Sequence, residues 1–351
     1  MTELLPIARQ FTGSSSALLP LGNGLINETY LVTTASAPFV LQCINAYVFP
    51  EPEAVLKNLA EIGRHLDSKT PDAVKLQIPR LLKSETGGDS VRDEQGRIWR
   101  AISYIAESVS LEALEDLQEA RQAGFALGHF HRLLCDLNPS QMKDTLPGFH
   151  ITPSYLARYR EVMATADSRR VDKECAAFIE RHQAMTGDLE AAKRQGLLPL
   201  RIIHGDPKLN NFLFDRNRRT AIGLVDLDTV KPGLLHYDIG DCLRSCCHRL
   251  ENDAFDPEIA EAILASYLGE AGRFFTGPDY AYLYAAIRLI PFELGLRFYT
   301  DHLEGNRYFK VEGPEQNLQR ALGQFRLCAS VIAQEQSLRR LIESLHGKTP
   351  V

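Results

Sequence analysis

Arg201-Ile202-Ile203-His204-Gly205-Asp206-Pro207-Lys208-Leu209-Asn210-Asn211-Phe212-Leu213-Phe214-Asp215, followed by Leu224-Val225-Asp226, decides how this chain is read. Mostly apolar, partly β-branched runs at 200–203, 212–214 and 221–227 predict three strands, with Asp215-Arg216-Asn217 as the turn between the last two. Asp206 then lies on a loop just after a strand, and Asp226 where the return strand of a short hairpin ends. Such a hairpin can bring Asn211 and Asp226 to one metal ion.

That set of groups suits phosphoryl transfer, in which catalysis is mostly positioning and charge stabilisation. Asp206 would orient the attacking hydroxyl. Asn211, five positions on, and Asp226 offer the amide and carboxylate oxygens that magnesium prefers. Lys208 can reach the moving phosphoryl group as a point charge. Taken singly, His-Gly-Asp is a tight turn and Asp226 a capping residue; four matching roles at fixed offsets point to a phosphotransferase site instead.

At these residues the chain resembles the phosphotransferase family of aminoglycoside and choline kinases, which share the protein-kinase fold. Within it the likeness is to N-acetylhexosamine 1-kinases. It is carried by Gly22-Asn23-Gly24-Leu25-Ile26-Asn27-Glu28-Thr29-Tyr30-Leu31-Val32, Val40-Leu41-Gln42-Cys43-Ile44-Asn45, the catalytic segment, Val225-Asp226-Leu227-Asp228-Thr229-Val230-Lys231-Pro232-Gly233 and Leu296-Arg297-Phe298-Tyr299-Thr300-Asp301. The resemblance implies an α+β, bilobal protein-kinase-like fold, with a β-rich nucleotide-binding lobe over 1–105 and a larger, mainly helical catalytic and acceptor-binding lobe over 106–351. It also implies ATP and magnesium as cofactors and a small sugar as acceptor. By the same likeness Tyr104, Ile105 and Ala106 become the hinge facing adenine, and Arg297 and Tyr308 the acceptor contacts, with Asn27 a further candidate.

Composition fits an ordinary soluble enzyme. At 351 residues and 44% hydrophobic content the chain can build two cores. A net charge of −6, from 39 basic and 45 acidic side chains, argues against a nucleic-acid surface, and no Lys/Arg run of that type occurs. No basic segment followed by a long apolar one opens the chain, so a cytoplasmic location away from membranes is expected. Seven cysteines show no metal-knuckle spacing, and Cys242, Cys246 and Cys247 beside His248 read better as small buried residues than as a zinc site.

In the first lobe, strands are expected at 28–34 and 39–44, a hairpin across 85–97, and a helix from Pro52 with Val55, Leu59 and Ile62 on one face. Gly22 and Gly24 precede a β-rich run instead of opening a helix, which disfavours a dinucleotide-binding turn and suits a hairpin over ATP phosphates. Protein kinases carry a lysine on the next strand; here Gln42 stands in its place and adds no charge. Hexosamine kinases resemble this chain in having glutamine there, but follow it with arginine where this chain has Cys43.

In the second lobe, Ala123, Leu127, Phe130 and Leu134 form one helical face, with His129 and His131 beside it as surface or satisfied core groups. Further helices are expected at 237–250, 257–268, 280–299 and 315–345, with Pro291 kinking or splitting the third and Asp279 its N-cap. Asp238 and Asp241 would brace the catalytic loop, while Asp228 either assists the metal or faces solvent. Two rivals stand beside the sugar kinase. One is a kinase of the same fold acting on an amino alcohol or aminoglycoside, for which an acidic pocket is expected; the other is a kinase-like module that binds without turnover.

Overall fold

The computed structural model describes residues 4–13, 17–22 and 26–348. The first part is an antiparallel sheet of β1 (Ala17–Pro20), β2 (Glu28–Thr33), β3 (Phe39–Cys43), β4 (Leu81–Leu82), β5 (Val91–Arg92) and β6 (Ile98–Ser103), in the order β1-β2-β3-β6-β4 with β5 also paired to β6. β3 and β6 are mostly apolar because successive side chains point to opposite faces and both faces of these strands meet a core. Phe39, Leu41, Trp99 and Ala101 pack with Ile7 and Phe11 of α1 (Leu5–Thr12). Val40, Ile44, Ile98 and Ile102 join the other core, with Val55, Leu59 and Ile62 of α2 (Pro52–Asp67). Gln42 and Arg100, register partners on β3 and β6, are polar members of that second face.

The chain then crosses to β7 (Ser108–Ser110), which pairs with β9 (Phe212–Asp215), itself hairpinned to β10 (Ala221–Leu224). Between them come α3 (Leu117–Leu134), α4 (Thr152–Met163), α5 (Lys173–His182), α6 (Asp188–Arg194) and β8 (Arg201–Ile203). β8 pairs with β11 (Lys231–Gly233), and α7 (Leu235–Cys246), β12 (His248–Arg249), β13 (Ala254–Phe255), α8 (Pro257–Ala271), α9 (Gly277–Leu303), α10 (Gln316–Ala333) and α11 (Glu335–Lys348) complete the helical part. Close crossing of α3 and α8 depends on Gly124, where an added Cβ would lie 2.2 Å from the Ile263 carbonyl oxygen. Gln77 bonds to both Ile222 and Leu224, tying the end of the first part to the return strand of the β9–β10 hairpin.

Several expected boundaries move. The first-lobe hairpin is β5–β6, with its turn at Asp93–Gly96 instead of spanning 85–97. The helix expected to reach residue 250 stops at Cys246, because His248–Arg249 pairs with Ala254–Phe255. Pro291 does not split α9, which runs from Gly277 to Leu303 with its middle buried on α7 and α10, so tertiary packing outweighs the lost backbone donor. Asp279 is not the N-cap: Thr276 is, and Asp279 at N3 completes a capping box and also pairs with Arg201 at 2.9 Å. The last expected helix is two, α10 and α11, parted at Gln334, whose side-chain amide donates to the Phe255 carbonyl and the Ser330 hydroxyl.

Candidate active site

β8 delivers His204 and Gly205 onto a buried carboxylate. The backbone N–H groups of His204 and Gly205 donate to the two oxygens of Asp238 at 2.6 and 2.8 Å, and His131 Nε2 lies 2.8 Å from the same carboxylate. Tyr267 adds its hydroxyl 3.0 Å from His131 Nδ1, so both expected roles, Asp238 as brace and His131 as satisfied core group, are met in the geometry. Gly205 has φ +89°, and a Cβ there would stand 2.6 Å from the Thr229 carbonyl, so both the left-handed backbone and the close approach require glycine. Burial lowers the pKa of His204, which stays neutral; Nε2 donates to the Val225 carbonyl at 2.9 Å and Nδ1 accepts from the Asp206 N–H at 3.3 Å.

This imidazole therefore ties the loop of Asp206 to the segment of Asp226. Val225 also donates its N–H to the Asn211 carbonyl at 2.9 Å, and Asn211 Nδ2 donates to the Asp206 carbonyl at 2.7 Å. Asn211 thus keeps Oδ1 clear of protein donors among the described residues. Asp226 follows with φ +66°, a left-handed conformation in a non-glycine residue of the kind found where backbone strain serves a site. Asp226 is exposed to solvent, yet the protein packed around its carboxyl pushes it up to about 6, with Asp228 adding to the rise and Lys208 opposing it. No protein donor bonds to that carboxyl among the described residues. An amide oxygen and a carboxylate, both without donors among the described residues, fit a hard cation. Among the described residues no three His, Cys, Asp or Glu side chains gather as a metal cage, so phosphate oxygens and water would supply the remaining ligands.

Lys208 Nζ lies 2.5 Å from Asp206 Oδ2. Burial works against its charge, but Asp206 and Asp226 outweigh burial and hold the lysine above its ordinary pKa. Asp241, also expected as a brace, makes no hydrogen bond to the loop among the described residues: it bonds Arg244 at 2.7 Å, and its other oxygen is buried without a partner. Behind the loop, His150 Nε2 faces the Gly205 carbonyl at 2.8 Å and Nδ1 faces Glu293 at 2.9 Å, while the Thr152 hydroxyl donates to Glu293 at 2.6 Å. With an acceptor at each ring nitrogen the imidazolium fits best. Burial opposes that charge, but Glu293 outweighs it and raises the pKa of His150. A raised folded pKa gives stability that is present below the unfolded value of about 6.5 and lost as pH rises through the folded one. Glu293→Gln is therefore expected to cost about 3–5 kcal/mol near pH 6 and less as the pH is raised, measured by urea unfolding of variant and parent across pH 6 to 9.

The small-lobe candidates meet a residue that sequence reasoning missed. Arg100 is 2% exposed and ion-pairs with Asp228, which is 1% exposed. Gln42 Oε1 accepts from Arg100 Nε and Nη2 at 3.1 and 2.8 Å, and Gln42 Nε2 donates to Thr29 at 3.2 Å. Asn27 donates to Asp228 at 2.6 Å and accepts from the Asn45 N–H at 3.0 Å. Both polar ends of Gln42 and of Asn27 are thus engaged within the protein, and Asp228 neither faces solvent nor lies open to a metal. Gly22 has φ +68° in the β1–β2 connection, and Gly24 lies outside the described residues. At the crossover Ile105 is buried with its carbonyl bonded to Ser108, Ala106 is exposed, and Tyr104 lines a cavity of about 280 Å³ with Leu66, Val74, Leu76 and Ile78 that contains no catalytic side chain.

On the acceptor side, Arg297 is boxed by three rings, its guanidinium carbon 5.0 Å from Phe149, 5.2 Å from Tyr155 and 5.5 Å from Phe309. Burial works against its charge, but Tyr155, Glu293, Tyr308 and Asp206 outweigh it. No carboxylate pairs with Arg297 among the described residues. Tyr308 is half exposed and packs edge-on against Phe309. Asp301 places both rings, accepting from the N–H groups of Arg307, Tyr308 and Phe309 at 2.8 to 2.9 Å.

Residues 17–283 match the family described as "Phosphotransferase enzyme family". Among solved structures, the chain is similar to an aminoglycoside phosphotransferase from Alicyclobacillus acidocaldarius, at 15% identity and TM-score 0.65 over 97% of this chain and 96% of that one. A microcompartment-associated aminopropanol kinase gives 20% identity and TM-score 0.66 over 93% and 94%. Plasmodium vivax ethanolamine kinase gives 12% and 0.58 over 92% and 84%. At such identities these likenesses establish the fold, which is protein-kinase-like.

Proposed function

The chain belongs to the phosphotransferase enzyme family and is a small-molecule kinase, and from that premise we propose that it transfers the γ-phosphoryl group of ATP, with magnesium, to the anomeric hydroxyl of an N-acetylhexosamine, giving a sugar 1-phosphate. Residues 1–105 would form the nucleotide lobe, with Tyr104 to Ala106 as hinge, and 106–351 the catalytic lobe. Asp206 orients the sugar hydroxyl and takes its proton; an anomeric hydroxyl is more acidic than an ordinary alcohol, which eases that task. As the hydroxyl arrives, Lys208 turns from Asp206 to the transferring group. Asn211 and Asp226 would hold magnesium, which supplies charge neutralisation along the phosphates when bound. Solved members of this fold carry nucleotides: one was determined with ADP and spectinomycin, another with AMP-PNP and calcium.

Arg297 carries the choice of acceptor. A fixed cation framed by Phe149, Tyr155 and Phe309 repels an amino alcohol or aminoglycoside but donates well to sugar hydroxyls and an acetamide carbonyl. ADP release over N-acetylhexosamines, choline, homoserine and aminoglycosides is expected to give the highest kcat/KM with an N-acetylhexosamine. Arg297→Ala should lower that value by about 10- to 100-fold, the loss of one charged hydrogen bond, with the KM for ATP unchanged. A cationic amine as best acceptor would overturn the assignment.

A further inference from the structure

Protein kinases bring a positive charge to the nucleotide phosphates with a lysine on the third strand, paired to a glutamate of the adjoining helix. This chain has Gln42 at that place, and Glu61, the buried acid of α2, pairs with Arg64 of its own helix. Charge enters one strand over. Arg100 stands opposite Gln42 in the β3–β6 register, on the same sheet face. A guanidinium that is 2% exposed needs acceptors for all its donors. Gln42 takes two bonds and Asp228 takes the ion pair, while Nη1 is buried without a partner among the described residues. Asp228 comes from the catalytic part of the chain, two residues beyond Asp226, and is also bonded by Asn27 of the glycine hairpin. Three small-lobe elements therefore converge on the turn that carries the metal carboxylate, and one donor of the convergent cation is unspent.

We propose that Arg100 takes the place of the strand lysine as the small lobe's cation for the nucleotide phosphates, with Gln42 orienting it and Asp228 latching it to the metal-binding turn. Gln42 is then a positioning residue and does not itself neutralise phosphate. An unspent donor directed at a phosphate oxygen adds to affinity for the phosphate tail and not for the nucleoside, which separates this role from a purely structural one. The inference rests on ATP and magnesium as the bound cofactors, so the parent protein is titrated first.

Isothermal titration calorimetry with AMP-PNP plus Mg²⁺ and, separately, with adenosine provides the test. Arg100→Gln is expected to weaken AMP-PNP at least tenfold while adenosine changes less than twofold. Adding Gln42→Lys to that variant, which returns the cation to β3, should bring AMP-PNP back to within about threefold of the parent. Equal loss for both ligands, or none, would overturn the proposal. If Arg100→Gln does not fold, Arg100→Lys keeps a charge opposite Asp228; it is expected to show at least a threefold loss confined to AMP-PNP, and an equal loss for both ligands again refutes the role. A parent protein that binds neither AMP-PNP nor GMP-PNP would overturn the nucleotide reading and this inference together. A parent that binds while the Arg100 variants match it would overturn this inference alone.

Discussion

Asp206→Asn is expected to lower kcat by about 10²- to 10⁴-fold, the usual loss when a positioned general base is removed. The geometry allows so specific an effect. The Asp206 backbone is fixed independently of its side chain, by the His204 ring at its N–H and by Asn211 Nδ2 at its carbonyl. Asparagine fills the same volume, so the loop and the side chains of Asn211 and Asp226 stay in place, and calorimetric affinity for AMP-PNP should change less than about threefold. Lys208 loses its ion-pair partner but keeps the Asp226 charge nearby, and for a partly exposed pair the consequence for folding is small. The pH–rate profile of the variant should lose the limb belonging to the base. A variant retaining more than about a tenth of the parent kcat would mean that Asp206 does not take the proton.

Asp238→Ala should strike stability and activity together. Its carboxylate is fully buried and receives two backbone N–H groups and one imidazole, all equally buried. Alanine leaves those donors with nothing to bond, and removal of one partner from such a buried charged network costs about 3–5 kcal/mol. Urea unfolding measures that loss. Because the two N–H groups belong to His204 and Gly205, the loop next to Asp206 also loses its anchor, and misplacing a reacting group by about 1 Å can cost about 10²-fold in rate. Asp238→Asn keeps one acceptor oxygen and should fall between parent and alanine on both measures. An alanine variant as stable as the parent would show that the anchor lies elsewhere.

These two effects differ in how far the sequence foretells them. Asp206, Lys208 and Asn211 sit within six positions on one loop, so their spacing alone nearly determines their geometry. Asp226 adds only a short hairpin, whose strands and turn carry ordinary local signals. Asp238 was legible as a brace because it follows the same segment closely. The Arg100–Asp228 pair was not, because its partners stand 128 positions apart and the meeting depends on how two lobes pack. One faint signal existed: Arg100 is the lone charge in Ile98-Trp99-Arg100-Ala101-Ile102, a run too apolar to be solvated, so a buried partner was implied but could not be named. His150 and Glu293 meet across 143 positions and gave no local sign.

Helix limits show the same division. The face of Val55, Leu59 and Ile62 and that of Ala123, Leu127, Phe130 and Leu134 are periodic and all buried as expected. The break at Gln334 has no glycine or proline to announce it and is fixed by contacts with Phe255 and Ser330. Pro291 announced a break that packing overrides. Asn27, which the family likeness made an acceptor-contact candidate, spends both ends of its amide inside the protein, on Asp228 and on the Asn45 N–H.

We propose that Asn211 and Asp226 together hold the divalent ion beside Asp206. A crystal structure with AMP-PNP and Mg²⁺ tests it most directly. Asn211 Oδ1 and an Asp226 carboxylate oxygen should each stand about 2.1 Å from the ion, with phosphate oxygens and water completing an octahedron. An ion held by Asp228 or Asp241, with Asn211 or Asp226 turned away, would contradict the account.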